Sequence, residues 1–353
     1  MPSPGSLFLL RTAAVSLCFV FALSVVQADD QVFVRGSEKA MRGTLGKVSK
    51  VEIELKPRTG KVTKIPADEI QRIRFDKEPA KLNLARNNER SGLLERALAS
   101  YQEEFAKLKG AAKADTSFLI ARTQAKIALT DPSKIDAALA LMDRQLATNA
   151  NGFRYFECLD WLGQLRVAKS DYEGAMKEFG KLGTSPLKSY QMTAKIARGR
   201  VLLAQNKPGE AQSSFSEVEG MQAEGAAQTA ARYEAILGKA TCLQLQGNFP
   251  DAIKSLDQVI TNTKPDEDSQ LHARAFLQKG HCYRDGKQPK LAILEYLKVD
   301  LIYNREKREH AASLFNLAQL WPSAGRPERG NEAATRMRQL YPNNEWTKKL
   351  GGG

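Results

Sequence analysis

The chain has 353 residues, 42% of them hydrophobic and 26% charged, enough apolar material for one long core or two domains. Lys and Arg outnumber Asp and Glu by 53 to 40, a net charge of +13. The basic residues are dispersed and form no nucleic-acid arm, so the charge favours solubility and attraction to anionic partners and excludes little else.

The first thirty residues differ from all that follow. Arg11 is the only charged residue before Asp29, and an apolar stretch runs from Thr12 to Val26. Ser24-Val25-Val26-Gln27-Ala28 then offers a cleavage site, with Val26 and Ala28 at the two recognition positions. Residues 1–28 are therefore expected to be a secretory signal peptide, which makes the protein exported, to a periplasm or beyond. The alternative is a retained anchor, but spanning a bilayer takes about 20 apolar residues and Arg11 interrupts the stretch. Cys18 lacks the small residues of a lipoprotein site before it. The remaining cysteines, Cys158, Cys242 and Cys282, are odd in number and scattered, unlike a disulfide framework.

From Gln31 to Phe75 the pattern has period two, with glycine at the turns. Val32 and Val34 alternate with polar neighbours, Met41–Val48 forms a second strand, and Val51, Ile53 and Leu55 alternate with Glu52, Glu54 and Lys56. Arg58-Thr59-Gly60-Lys61 is a turn leading to Val62–Ile65. One helical turn at Pro66–Ile70 precedes a closing strand with Ile70, Ile73 and Phe75, and Glu78-Pro79 ends the unit. Residues 29–78 are thus expected to form a small β module that resembles an SH3-like or Sm-like barrel. It either binds a second ligand or caps the first helical hairpin. Twelve Lys/Arg against nine Asp/Glu is too balanced for a phosphate-binding surface.

From Pro79 onward the texture turns helical and repeats itself. A small residue, usually followed four positions on by a large one, opens the second helix of each pair. It stands at Ala97, Ala137, Ala175, Ala211, Ala252, Ala292 and Gly330, at intervals of 36 to 41 residues. Twelve residues upstream of each stands another Gly or Ala: Ala85, Ala125, Gly163, Gly199, Ala240, Gly280 and Ala318. Paired helices approach closely only where a side chain is small. Leu162-Gly163, Asp171-Tyr172, Ala175, Phe179 and Pro186 make the clearest copy, and Gly247-Asn248-Phe249, Ala252 and Leu256 the next.

On these residues the chain resembles the tetratricopeptide repeat (TPR) family. The fold class expected is mainly α: a TPR-like α-solenoid of about seven helical hairpins over residues 79–345, behind the small β-barrel-like domain. Residues 346–353 read as a flexible tail. Most repeats exceed the family's usual length, and Leu159, Lys195 or Ile236 stands where its aromatic is usual. The resemblance implies that first helices line a concave groove that binds a peptide or partner protein.

No GxGxxG before a helix, GxxxxGK[ST], HExxH or GxSxG occurs, and three histidines do not make a multi-histidine metal site. The sequence thus points to no enzyme, cofactor or metal. His281-Cys282 is adjacent on a helix, about 100° apart, and the three cysteines are read as packing residues. Groove candidates are Arg122, Lys126, Gln164, Arg200, Arg274, His281 and Arg284, with Arg86 and Arg90 nearby and Glu89, Glu157, Asp160, Glu234, Asp285 and Gln244 sharing the surface. Such a lining would grip an acidic segment or a chain terminus of a protein partner. The bland alternative is solvated charges or mutual salt bridges. A polyanion or nucleic-acid binder is the second functional reading, disfavoured by dispersed charge and export. An enzyme built on the β module is the third. Partner identity, process and oligomeric state are not legible.

Overall fold

A computed structural model describes residues 29–266 and 268–351; residues 1–28, where a signal peptide is expected, lie outside the described residues. The front module is a five-stranded antiparallel sheet: β1 (Asp30–Val34), β2 (Met41–Val48), β3 (Glu52–Lys56), β4 (Thr63–Pro66) and β5 (Ile70–Arg74). The spatial order is β4-β3-β2-β1-β5, so the first strand ends between the second and the last. Alternation does what the sequence implies: Val32, Ile53, Leu55, Ile65, Ile70 and Ile73 all turn into one core. Gly43 in β2 has no room for a side chain, because a Cβ there would fall against the Lys56 carbonyl. A single 3₁₀ turn, Ala67–Glu69, joins β4 to β5.

Among the described residues seven antiparallel helix pairs follow. They are α1 (Ala80–Arg90) with α2 (Leu94–Phe105), α3 (Gly110–Ala128) with α4 (Ile135–Thr148), and α5 (Tyr155–Ala168) with α6 (Tyr172–Gly183). Then come α7 (Lys188–Ala204) with α8 (Pro208–Glu219), and α9 (Gly225–Leu245) with α10 (Phe249–Asn262). The last are α11 (Ser269–Asp285) with α12 (Pro289–Ile302), and α13 (Lys307–Ser323) with α14 (Pro327–Leu340). Each pair packs on the next, and from α3 onward each first helix also touches the first helix of the following pair. This is a TPR-like solenoid with one continuous inner layer.

The small residues work as the spacing predicts. A Cβ on Gly163 would overlap the Phe179 ring, and one on Gly280 the Tyr296 ring. Phe215 is gripped from two sides: a Cβ on Gly199 would lie 2.7 Å from its ring, and Gly238 of the next first helix leaves no more room. In the second pair the register differs from expectation. Ala138 and Met142 are the buried residues, while Ala137 is exposed and Leu141 half-buried. The extra 3₁₀ turn Pro132–Lys134, capped by Asp131 Oδ1 on the Ser133 amide, adds the residue that shifts the helix.

Three further features position the site. First, the β module meets the first hairpin through the buried Glu78–Arg86 pair and also packs along the start of several later first helices. Its core reaches Ala112, Phe153 and Leu187, Lys50 Nζ lies 3.8 Å from the Tyr155 ring centroid, and Gly36 abuts Ala226. Asp68 accepts a hydrogen bond from Ser189 in the first turn of α7, and Glu69 Oε1 accepts from the Ala227 amide in the first turn of α9 at 3.4 Å. Carboxylates thus sit at the positive ends of two helices. Second, the solenoid completes a turn. Gly92, in the α1–α2 turn at φ +69°, lies beneath the Lys307 side chain, whose methylenes stand 3.1–3.6 Å from where a Cβ would be. Third, the expected flexible tail is largely ordered helix, α15 (Glu345–Gly351), anchored by Trp346 on Phe315 at 5.4 Å between centroids. Among the described residues no helix is long and apolar enough to cross a membrane.

Candidate functional site

The inner layer divides into two stretches of different character. At α1–α5 its charges are locked inward. Glu89, at 3% side-chain exposure, accepts from Tyr101 Oη at 3.0 Å, Arg122 Nη2 at 2.8 Å and Lys126 Nζ at 2.8 Å. Burial opposes its ionisation, but Arg122 and Lys126 outweigh burial and hold its carboxyl down at about 2. Arg154, also buried, bridges Asp115 at 3.0 Å and Glu157 at 2.8 Å, and Arg86 closes on Glu78. Arg122 and Lys126 are thus not free cations. Arg122 ties three hairpins together through Glu89 and Glu157, and of this network Lys126 is the most open to a ligand, at 34% exposure.

From α7 to α13 the inner layer is open. Arg200 and Arg274 flank Glu234, each with an N–O distance of 2.5 Å, yet the three keep side-chain exposures of 41%, 30% and 31%. Burial works against Glu234, and Arg274 and Arg200 together keep it ionised. Burial also lowers the Arg200 pKa; Glu234 resists this, while Arg274 and Arg308 add to it. Two cations sharing one carboxylate leave an unbalanced positive charge. Beyond them, Arg284 donates through Nε to Asp285 at 2.8 Å and through Nη1 to Asn316 Oδ1 at 2.7 Å. Gln244 joins this group by donating to Asp285 Oδ2 at 2.6 Å and accepting from Gln278.

Two predicted groove residues turn out to be neutral or nearly so. His281 packs on the Tyr296 ring at 5.7 Å between centroids, and burial, aided by Arg284, lowers its pKa to about 4. It is an uncharged contact surface at neutral pH. Gln164 donates to Asp160 Oδ2 at 2.9 Å, and burial raises Asp160 to about 6 against the pull of Arg200 and this hydrogen bond. Asp160 has no ion-pair partner among the described residues. Glu309 on α13 is likewise buried and raised, first by burial, with only distant cations near it.

Sequence reasoning placed the inner face but missed Arg154, Asp115, Gln278 and Asn316 as its partners. A signal was available. Bonded pairs recur one repeat apart: Glu89–Arg122 spans 33 residues, Arg200–Glu234 34, Arg154–Asp115 39 and Glu234–Arg274 40. The cysteines pack as expected. All three are buried, and burial pushes Cys242 up to about 11 and Cys282 to about 12. No group of three or more His, Cys, Asp or Glu among the described residues is placed to hold a metal.

No family model and no curated protein matches the sequence. Among solved structures, the chain is similar to a tetratricopeptide repeat protein from Parabacteroides merdae, at 14% identity and TM-score 0.49, over 76% of this chain and 95% of that one. It is similar to a Rap protein complexed with competence and sporulation factor, at 15% identity and TM-score 0.49, over 76% and 77% of the chains. A third is PilW, a type IV pilus biogenesis factor, at 14% identity and TM-score 0.43, over 69% and 99%. These values are low, and the architecture rests on the hairpins themselves.

Proposed function

We propose that the protein is an exported, non-enzymatic scaffold that binds an extended segment of a partner protein along the inner face of α7–α13. The observation that carries this is a contrast in exposure: Glu89, Arg154 and Arg122 stand at 3%, 7% and 17% with Lys126 at 34%, whereas Arg200, Glu234 and Arg274 all stand at 30–41% inside a concave layer. Polar side chains held in place by one another, yet open to solvent, are preorganised for recognition. Around the Glu234 and Asp285 carboxylates stand Arg200, Arg274, Arg284 and Arg308, four cations to two anions. The excess is positive, so the segment carries carboxylates, and Arg offers them bidentate hydrogen bonds. Export rests on the apolar stretch Thr12–Val26 and the Ala28 site.

The test is an array of unstructured peptides, acidic and basic, probed with the wild-type chain and with Arg200→Glu/Arg274→Glu/Arg284→Glu. Acidic peptides should bind and the triple variant should lose them by at least about 10-fold. Retention of the same peptides by the triple variant, or binding of basic peptides alone, would sink the reading.

A further inference from the structure

The outer helix α12 is unlike the outer helices before it. On α6, α8 and α10 the exposed positions include the charged Glu173 and Lys177, Glu210 and Glu217, and Asp251, Lys254 and Asp257, with Met176 the one large apolar side chain among the described residues there. On α12 they carry Leu291, Leu294, Leu301 and Ile302, the last two 67% and 65% exposed. Positions 291, 294 and 301 are three and seven apart, which puts them in one stripe along a helix of 14 residues. Leu340, at the end of α14, extends the apolar surface, because Asp300 beside Leu301 pairs with Arg336 one turn before Leu340.

The charges around this stripe are sorted by sign. From Lys287 to Lys307 every exposed charged residue is a cation: Lys287, Lys290, Arg305 and Lys307. The acids of the same segment turn inward and are already engaged. Glu295 is buried and accepts from Lys298 Nζ at 2.9 Å, Asp300 is buried between His310 and Arg336, and Glu306 accepts from Ser269. Arg338 stands exposed on the α14 side. The rim of like charge disfavours a second copy of the same face, because two such rims would repel.

We propose that this face is a docking surface for an anionic phospholipid membrane, with Leu291, Leu294, Leu301, Ile302 and Leu340 entering the interface and Lys287, Lys290 and Arg305 meeting the lipid phosphates. An apolar stripe bordered by Lys and Arg is the form of a helix that lies in the plane of a bilayer surface. The site faces away from the inner layer, so a membrane-bound molecule keeps its groove open to a partner.

The test is site-specific, because the apolar N-terminal stretch of the full chain could hold vesicles by itself. In a chain carrying Cys18→Ser and Leu301→Cys, an environment-sensitive fluorophore is attached at position 301; Cys158, Cys242 and Cys282 are buried. Vesicles of phosphatidylcholine are compared with vesicles of phosphatidylcholine and phosphatidylglycerol at seven to three. The label is expected to shift to the blue with the anionic vesicles and to return with added salt. The further variant Lys290→Glu/Arg305→Glu should weaken that response at least about 10-fold, from roughly 1 kcal/mol per cation. A label that stays in water with both vesicles overturns the proposal, as it would if an acidic helix of another protein covers this face. An equal shift on neutral vesicles, or one indifferent to the charge reversal, also overturns it.

Discussion

Gly280 shows how a single missing side chain sets the distance between two helices, since a Cβ there would overlap the Tyr296 ring. Gly280→Ala should therefore cost about 1–3 kcal/mol in urea unfolding. Gly180→Ala, on the open side of α6 with nothing nearby, should instead stabilise by about 0.5–1 kcal/mol. An equal response of the two would remove the crossing argument. Two carboxylates should respond to pH in opposite senses. Glu89 is held at about 2 in the folded chain, so its stabilising effect is present above about 4.5 and is lost as pH falls towards 2. Asp160 is raised to about 6, so the folded state holds its proton more tightly, and stability declines as pH rises from about 4 through 6. Urea midpoints of Glu89→Gln and Asp160→Asn across this range would check both signs. Glu89→Gln should also cost about 2–3 kcal/mol at neutral pH, because Arg122 and Lys126 lose a shared partner. The crossing glycines were legible in the sequence, because close approach demands a residue type. The charge partners were legible only as pairs one repeat apart, because which acid meets which cation depends on the twist between successive hairpins.

At the level of elements, the β strands were read nearly to the residue, since alternation of Val32, Ile53, Leu55 and Ile73 with polar neighbours has one structural meaning. The start of α4 was read one residue early. Pro132-Ser133-Lys134 marks a turn in the sequence, but its 3₁₀ geometry, which sets the register of Ala138, becomes visible only in three dimensions. The docking of the β module was illegible for a related reason: Asp68 and Glu69 look like the acidic start of a helix, and they accept instead from the Ser189 hydroxyl on α7 and the Ala227 amide on α9. Asp68→Ala/Glu69→Ala should loosen this union by about 2 kcal/mol. Hydrogen exchange should then quicken at the first turns of α7 and α9 while α13 stays protected. Unchanged exchange at Ser189 and Ala227 would show that the apolar contacts through Phe153 and Leu187 suffice.

Over the whole molecule, repeat periodicity foretold a solenoid but not its closure, since curvature accumulates from small rotations that no single residue encodes. Closure is measurable. With Cys18→Ser, Gly92→Cys and Lys307→Cys, a short bismaleimide should link the two positions within one chain; a chain that stays unlinked would mean that the turn is open in solution. The contact of the front module with distant helices has its own consequence for biosynthesis. Residues 30–74 are made early, yet their anchors on Ser189 and Ala227 lie 121 and 158 residues further along the chain from Asp68 and Glu69. Until that length has emerged, the small sheet has no seat, and its apolar underside must wait uncovered or in the care of a chaperone.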